Sequence, residues 1–569
     1  MEATTRHTGA FLMQTPDSLF TPERFDAESR QMADATERFV REQVSPYVKR
    51  LEHGEPAQMR EILIDAAMLG LLGIDIPPEF GGLGLPKTAS ALITEKTALQ
   101  PSFAVSHAVH TSVGSLPLLL FGTEAQQRHY LPKLTTGEYI GAYALTEPEA
   151  GSDALSGRTR AERHGDHYRI TGNKIWITNA GFADLFVTFA KVDGERFTAF
   201  LVERSPGLRV EREEHKLGLH GSSTCRVVFD GVVVPAANRL GEEGEGAYVA
   251  LYTQNLGRFK IGAAALGIAK EAWRIGRDYA RERSQFGRPI IEYPLVWRKL
   301  AFGATLMYAV ESATYRLADD LEQAFRAEGT DRQQVWRAAA AEYAAECALI
   351  KVAATEALHL IVDDALQIHG GYGYSEEYPI AALYRDTRVN RIYEGTNEIN
   401  RLNFTQHVIR QMQRAGLPIL EEARAQASAL TAELPTDTRG MLDALVAQFR
   451  AATLVAFQRA WEAYGDHLRE QRQEVAAAIA EMAVYLYGLE SIVARLPKLQ
   501  GAHAEAGELM ALLFAREGAF HIRERLELVL HALGASDGTP NLPTPRIDAV
   551  AVANRLAEHV LQREGYPIG

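Results

Sequence analysis

The chain has 569 residues, with 60 Lys and Arg against 73 Asp and Glu, for a formal net charge of −13. Hydrophobic residues at 46% and charged residues at 23% are ordinary for a globular protein and exclude disorder, collagen-like repeats and low complexity. The only cysteines, Cys225 and Cys347, exclude a disulfide framework and a cysteine-based zinc site, and the acidic balance lacks the basic footprint of a nucleic-acid binder.

At roughly 150 residues per domain the length predicts three or four domains. Residues 1–24 form an N-terminal arm. No basic stretch followed by an apolar one occurs there, so no secretory signal is expected. Residues 25–140 carry helical periodicity, as in Met32, Phe39, Val40 and Val44. A Pro- and Gly-rich loop from Ile76 to Gly84 interrupts them. No residue from Thr97 to Thr123 is charged, but Pro101, His107, His110 and Pro117 fall within that stretch. A buried helix pair is expected there, not a membrane span. The protein is therefore expected in the cytoplasm, with at most peripheral membrane contact.

Residues 141–244 change to short β-type runs, such as Leu185–Ala190, Phe197–Val202 and Cys225–Phe229, separated by Gly-containing turns. They predict a compact antiparallel β domain. Residues 245–413 are helical again, and Gly416-Leu417-Pro418 marks a boundary. Residues 414–569 form a further helical domain, with a loop marked by Gly534, Gly538, Pro540, Pro543 and Pro545 before a last helix. The class is α+β, mostly α. The chain lacks GxGxxG after a strand, GxxxxGK[ST] and HExxH, which disfavours a Rossmann site, a P-loop and a zinc protease; no metal is expected.

Several segments carry the chemistry. They are Tyr143-Ala-Leu-Thr-Glu-Pro-Glu-Ala-Gly-Ser-Asp153, Lys174-Ile-Trp-Ile-Thr-Asn179, Arg283-Ser-Gln-Phe-Gly287, Gln367-Ile-His-Gly-Gly371 and Arg391-Ile-Tyr-Glu-Gly-Thr-Asn-Glu398. In identity, order and spacing they resemble the acyl-CoA dehydrogenase flavoprotein family over about Phe25 to Gln413. The resemblance implies an N-terminal helical domain, a central β domain and a C-terminal four-helix bundle. The extra tail and Asn255-Leu-Gly-Arg-Phe259 resemble the very-long-chain branch.

The implied reaction is α,β-dehydrogenation of an acyl-CoA thioester to the trans-2-enoyl-CoA, as in fatty-acid β-oxidation. It needs a base at the α-carbon and an electron acceptor at the β-carbon; no ordinary side chain serves as the acceptor, and the family uses FAD. Glu394 aligns with the catalytic Glu, and desolvation should raise its pKa toward the working range. Some relatives place the base just before the Arg matched by Arg258; here that position is Gly257.

By the same resemblance Tyr143, Leu145, Thr146, Gly151, Ser152, Trp176, Thr178, Thr396 and Glu398 hold the flavin. Arg283, Gln285, Phe286, Gln367, Gly370 and Gly371 reach it from a neighbouring subunit, so a homodimer is implied. Ser152, Asn255, Arg258 and Gly395 are implied substrate contacts. Taken alone, Trp176 would be a core residue, Thr396 a turn residue and Asn255 a helix-surface amide. His369 is expected to pack or hydrogen-bond, because the reaction has no task for it. Val105, Ala108 and Val109 stand where medium-chain relatives have polar blocking side chains, which favours long acyl chains. Electron-transfer flavoprotein is the implied electron acceptor. An acyl-CoA oxidase-like enzyme using dioxygen and a respiratory-complex assembly protein on the same fold are the alternatives; DNA binding is disfavoured because the tail mixes Arg with many Glu.

Overall fold

A computed structural model describes residues 9–16, 18–51, 56–329, 331–534, 540, 542–562 and 566–568. Residues 1–8 of the arm and Gly538 lie outside the described residues. The first helical domain contains α1 (Ala27–Phe39), α2 (Ser45–Leu51), α3 (Met59–Met68), α4 (Lys87–Thr97), α5 (Pro101–Thr111), α6 (Leu116–Phe121) and α7 (Glu124–Thr136). Local chemistry sets its ends. Asp26 caps α1, and a reciprocal Thr123–Gln126 capping box starts α7. The uncharged stretch folds as the buried pair α5 and α6.

The β domain is one eight-stranded sheet. Its strands are β1 (Gly141–Ala144), β2 (Arg160–His164), β3 (His167–Thr178), β4 (Leu185–Val192), β5 (Arg196–Glu203), β6 (Leu208–Glu213), β7 (Thr224–Pro235) and β8 (Arg239–Leu240). They run in the order β6-β7-β3-β2-β4-β5-β8, with β1 beside β4. The expected antiparallel ladder holds except at two places: β1 and β2 both pair β4 in parallel. A parallel partner needs a long crossover, not a tight turn. The chain from residue 145 to 184 supplies it for β1, and that crossover carries the Thr146–Ser152 loop.

The second helical domain has α8 (Gly246–Glu282), a short hairpin of β9 (Ser284–Gln285) and β10 (Arg288–Pro289), α9 (Pro294–Phe325), α10 (Arg332–Glu342), α11 (Ala344–His369), α12 (Pro379–Thr387) and α13 (Asn397–Ala415). Helix α8 packs closely on α4 and α11. A Cβ at Gly267 would lie 2.0 Å from the Glu95 carbonyl oxygen, so only Gly lets the two backbones approach.

The tail adds α14 (Ile419–Gln426), α15 (Thr438–Tyr464), α16 (Leu468–Gln471), α17 (Gln473–Arg495), α18 (Ala502–Ala532) and α19 (Ala549–Gln562). Gly416 ends α13 in a left-handed cap, yet Leu417 and Ile419 are buried directly after it. The boundary is therefore a packed corner and not a free linker. Helices α17 and α18 lie on α9, and one hydrophobic core runs through the bundle and the tail. The arm joins the same core: Phe11 and Leu12 are buried, and Gly9 N–H donates to Glu346 Oε1 at 2.7 Å. Three stretches, Pro101–Phe121, Thr438–Gln471 and Gln473–Lys498, are long and apolar enough to cross a membrane, but 67% to 83% of each apolar window is buried inside this fold.

Candidate active site

The turn from Tyr393 to Asn397 enters α13, and Glu394 sits in it with φ 53°. Six non-glycine residues among those described have left-handed φ: Trp176, Asn179, Asp193, Leu219, Phe286 and Glu394. Three of them, Trp176, Phe286 and Glu394, are candidate site residues. Such backbone costs on the order of 1–3 kcal/mol per residue and persists only where neighbours enforce it.

The neighbours at Glu394 are plain. Arg258 Nε donates to the Glu394 carbonyl at 3.1 Å. Lys351 Nζ donates to the Gly395 carbonyl at 2.9 Å and to Asn397 Oδ1 at 2.7 Å. Asn400 Nδ2 donates to the carbonyls of Gly395 and Thr396 at 2.8 and 3.0 Å. Gly395 follows with φ 79°, which glycine alone adopts without penalty. Thr396 Oγ1 caps α13 by accepting from Ile399 N–H at 3.3 Å, and exposed Glu398 bonds back to Thr396.

These bonds grip the main chain and leave the carboxylate unengaged. Glu394 Oε2 is buried with no hydrogen-bond partner. Burial pushes the Glu394 carboxyl up to about 7, against the opposing pull of Arg258 and Lys351. Gly257 faces the same carboxylate: a Cβ there would sit 3.5 Å from Glu394 Cδ.

Asn255 departs from expectation. It is neither a helix-surface amide nor open to a substrate: it is 3% exposed, its Nδ2 donates to the Ala340 carbonyl at 2.9 Å, and its Oδ1 accepts from Arg258 Nη1 at 2.8 Å. It therefore positions Arg258, itself buried, and the sequence-based substrate contact is corrected to that role.

The β domain presents a second group. Trp176 lies at the irregularity of the β3–β7 register between Lys174 and Ile177. The resulting left-handed φ turns it outward, so it is 58% exposed and not a core residue. Thr178 is half-buried on the same strand, and Thr146 and Tyr143 are half-buried near β1. Tyr143 Oη is buried with no partner; burial and the nearby Glu394 carboxylate hold this phenol well above its usual range. Leu145 is buried and its carbonyl accepts from Lys174 Nζ at 3.0 Å. The same ammonium pairs with Glu147 Oε1 at 2.7 Å, so a buried ion pair pins the loop that exposes Gly151 and Ser152.

Helix α5 adds a stripe. Val105, Ala108 and Val109 are half-exposed, whereas the other residues from Pro101 to His110 are buried. Spacing of i, i+3 and i+4 places them on one face.

A third group lies where α8 and α11 end. Arg283 stacks over Tyr372 at 5.4 Å, joining the β9–β10 hairpin to the turn after α11. Gln285, Phe286, Gln367, Gly370 and Gly371 are exposed there, Phe286 at 94%. His369 is buried instead: it stacks on Tyr279 at 4.0 Å and its Nδ1 meets the Ala365 carbonyl at 2.7 Å. No group of three or more potential metal ligands occurs among the described residues.

Family models for the N-terminal, middle and C-terminal domains of acyl-CoA dehydrogenase match residues 26–138, 142–232 and 244–409. A probable acyl-CoA dehydrogenase of Bacillus subtilis (strain 168) is 40% identical over 546 residues, covering 93% of this chain and 92% of that protein.

The chain belongs to the acyl-CoA dehydrogenase family.

The mitochondrial very long-chain specific acyl-CoA dehydrogenase of Bos taurus is 38% identical over 405 residues, 68% of this chain and 59% of that protein. A crystal structure of an acyl-CoA dehydrogenase complexed with FAD from Bacillus anthracis superposes with a TM-score of 0.95 at 38% identity, covering 99% of this chain and all of that one. In this acyl-CoA dehydrogenase Glu394 stands in the buried turn and Trp176 on the exposed irregularity of β3, and around them lie Lys174, Glu147, Lys351, Asn397 and Asn400, which sequence reasoning missed. Lys351 and Asn400 lie outside the motif segments, and Lys351 sits on an Ala-rich helix with nothing beside it in the sequence to single it out.

Proposed function

We propose that this acyl-CoA dehydrogenase oxidises long-chain acyl-CoA thioesters with Glu394 as the base. The observation that carries the reading is Glu394 itself: a carboxylate held by its main chain, with Oε2 buried, unpartnered and tuned to about 7. A base tuned near the operating pH is the efficient choice for proton abstraction.

The residues present fit FAD. Tyr143 Oη and Glu394 Oε2 are buried polar atoms without protein partners, Trp176 offers an exposed ring, and Gly151 would meet nothing within 4 Å if it carried a Cβ. Tyr143, Thr146, Trp176 and Thr178 would hold the ring system, and the exposed amides around Gly151 and Ser152 would take phosphate oxygens. FAD, when bound, supplies the two-electron acceptor that no side chain can.

The chain's own residues do the rest. The α-proton passes to the Glu394 carboxylate, which ends neutral. The Glu394 main-chain N–H holds the thioester oxygen, where negative charge develops. Arg258, Lys351 and Asn400 keep that N–H and the carboxylate in one orientation. The apolar α5 stripe lines the acyl tunnel, and its lack of polar side chains suits long chains. The exposed Arg283–Tyr372 patch completes the flavin site of a second copy, making the unit a homodimer. Electron-transfer flavoprotein is the onward acceptor in fatty-acid β-oxidation, and no nucleic acid is involved.

Anaerobic bleaching of the flavin with acyl-CoA of increasing length tests the substrate. Bleaching should quicken toward long chains; a maximum at butyryl-CoA would refute that part. Turnover should require an acceptor, and fast peroxide release with dioxygen alone would favour the oxidase reading.

A further inference from the structure

Lys351 belongs to none of the family motifs, yet it is a buried cation one residue from the base. Its relative exposure is 0%. The ammonium reaches the Gly395 carbonyl and Asn397 Oδ1, and the Asn397 amide is fixed in turn by Glu356 Oε1 at 2.9 Å and Thr355 Oγ1 at 3.0 Å. The charged groups around it come from every neighbouring element. They are Arg258 on α8, Glu394 in the turn, Glu398 on α13 and Glu356 on its own helix. Farther out, Arg401 on α13 pairs with Glu481 on α17 at 2.9 Å. Tyr143 on β1 adds a neutral phenol beside Glu394.

A buried ammonium is costly to keep unless its hydrogen bonds are met. Here they are met by a carbonyl and an amide, not by a carboxylate in contact. The cost would be avoided by a Met or Leu on this apolar face of α11. Burial and the Arg258 charge push the Lys351 ammonium down to about 7, so it is charged on the acid side of that value, where it adds a fixed donor under the peptide after Glu394 and a positive field that favours the ionised carboxylate. Arg258 does the same from the other side through the Glu394 carbonyl.

We propose that Lys351 is a positioning residue for the reaction: it holds the Gly395 carbonyl and Asn397 so that the Glu394 carboxylate faces the α-carbon, and its charge keeps that carboxylate ready to accept a proton. The inference rests on Glu394 being the base. Its effect has a sign. Removing the positive charge makes ionisation of Glu394 harder, so the acid limb of the rate profile moves to higher pH.

The test uses the FAD holoenzyme and two readouts across pH. One is anaerobic flavin bleaching. The other is deuterium exchange at the α-carbon of a 3-thiaacyl-CoA, whose sulfur replaces the β-carbon and blocks oxidation, so that it reports the base alone. Lys351→Gln keeps an amide donor and loses the charge; Lys351→Met loses both; Lys351→Arg keeps the charge. In the Gln and Met variants the acid midpoint of both readouts should rise by about one pH unit. Lys351→Met should also lose about 10–100-fold at the plateau. Lys351→Arg should hold the midpoint. If Lys351→Met fails to fold, Lys351→Gln carries the test. A plateau that falls with the midpoint unmoved in Lys351→Gln makes the residue merely structural and overturns the proposal. Glu394→Gln run alongside separates the two readings. If it still exchanges the α-proton, the base assignment fails first; if it does not and Lys351→Gln behaves as wild type, only the Lys351 proposal fails.

Discussion

Arg258 Nε donates to the main-chain carbonyl of Glu394 at 3.1 Å, while Glu394 Oε2 is left buried and unpartnered. A direct ion pair would have pulled the carboxyl down and made it a poor base. Holding the carbonyl instead fixes the position of Glu394 without consuming its basicity. Glu394→Gln should therefore preserve the fold and the yellow flavin but abolish reduction by acyl-CoA. A lost general base costs at least about 10²–10⁴-fold in rate. Stopped-flow bleaching under anaerobic conditions measures it, and wild-type rates in the variant would remove Glu394 from the mechanism.

The raised carboxyl also sets two pH dependences. The ionised form is the active one, so the rate of bleaching should climb through about pH 7 and level off above it. Stability runs the other way. The folded-state pKa, about 7, lies above the usual 4.5, so the folded protein binds a proton that the unfolded chain releases between those values. Stability from this group is fully present below about pH 4.5 and is lost as pH rises through 7, by about 3 kcal/mol at most. Glu394→Gln cannot ionise. Relative to wild type it should gain denaturant midpoint between pH 5 and pH 8, and parallel curves would contradict the burial of this carboxylate.

Much of this site was legible because its parts sit in short motifs. Glu394, Gly395 and Thr396 are contiguous, and Trp176 and Thr178 share a strand. The outward turn of Trp176 was not legible: it depends on a register shift between β3 and β7, which are separated by about 50 residues of chain. Asn255 was misjudged for a related reason. An Asn on a helix is mostly exposed, and only the contact with Ala340, 85 residues away, shows that this one is buried. Lys351 was invisible because one lysine in an Ala-rich helix resembles any solvated charge. The tail boundary at Gly416 was visible, but its packing was not, since helix periodicity says which face is apolar and not what it meets.

Phe286 is 94% exposed with φ 52°, and its ring packs against that of Tyr293 with centroids 6.3 Å apart. Large apolar side chains grouped on a surface mark a contact face. Phe286→Asp should weaken the dimer and release flavin together, because the same patch is proposed to complete the flavin site of the second copy. Light scattering gives the mass and the ratio of absorbance at 450 and 280 nm gives the flavin content. A monomer with full flavin would break the link between the two.

The tail is tied to the bundle by buried ions. Arg316 Nη1 on α9 meets Glu490 Oε2 on α17 at 2.6 Å, with side-chain exposures of 2% and 1%. Glu490 also pairs with Arg450 on α15 and accepts from Thr15 Oγ1 of the arm at 2.6 Å. One carboxylate thus joins four parts of the chain. A second bridge, Arg495 to Glu311 at 2.5 Å, lies on the same two helices. Exposed pairs contribute little, but removing one partner of a buried pair strands the others and costs about 3–5 kcal/mol. Glu490→Gln keeps the shape, removes the carboxylate charge that Arg316 and Arg450 share, and leaves Arg316 with Asp320, 4.0 Å away. It should lower the unfolding free energy by that amount in chemical denaturation while leaving the acid midpoint of flavin reduction at about pH 7, because Glu490 touches no residue of the Glu394 turn. A variant as stable as wild type would show that the tail is held by its apolar core alone.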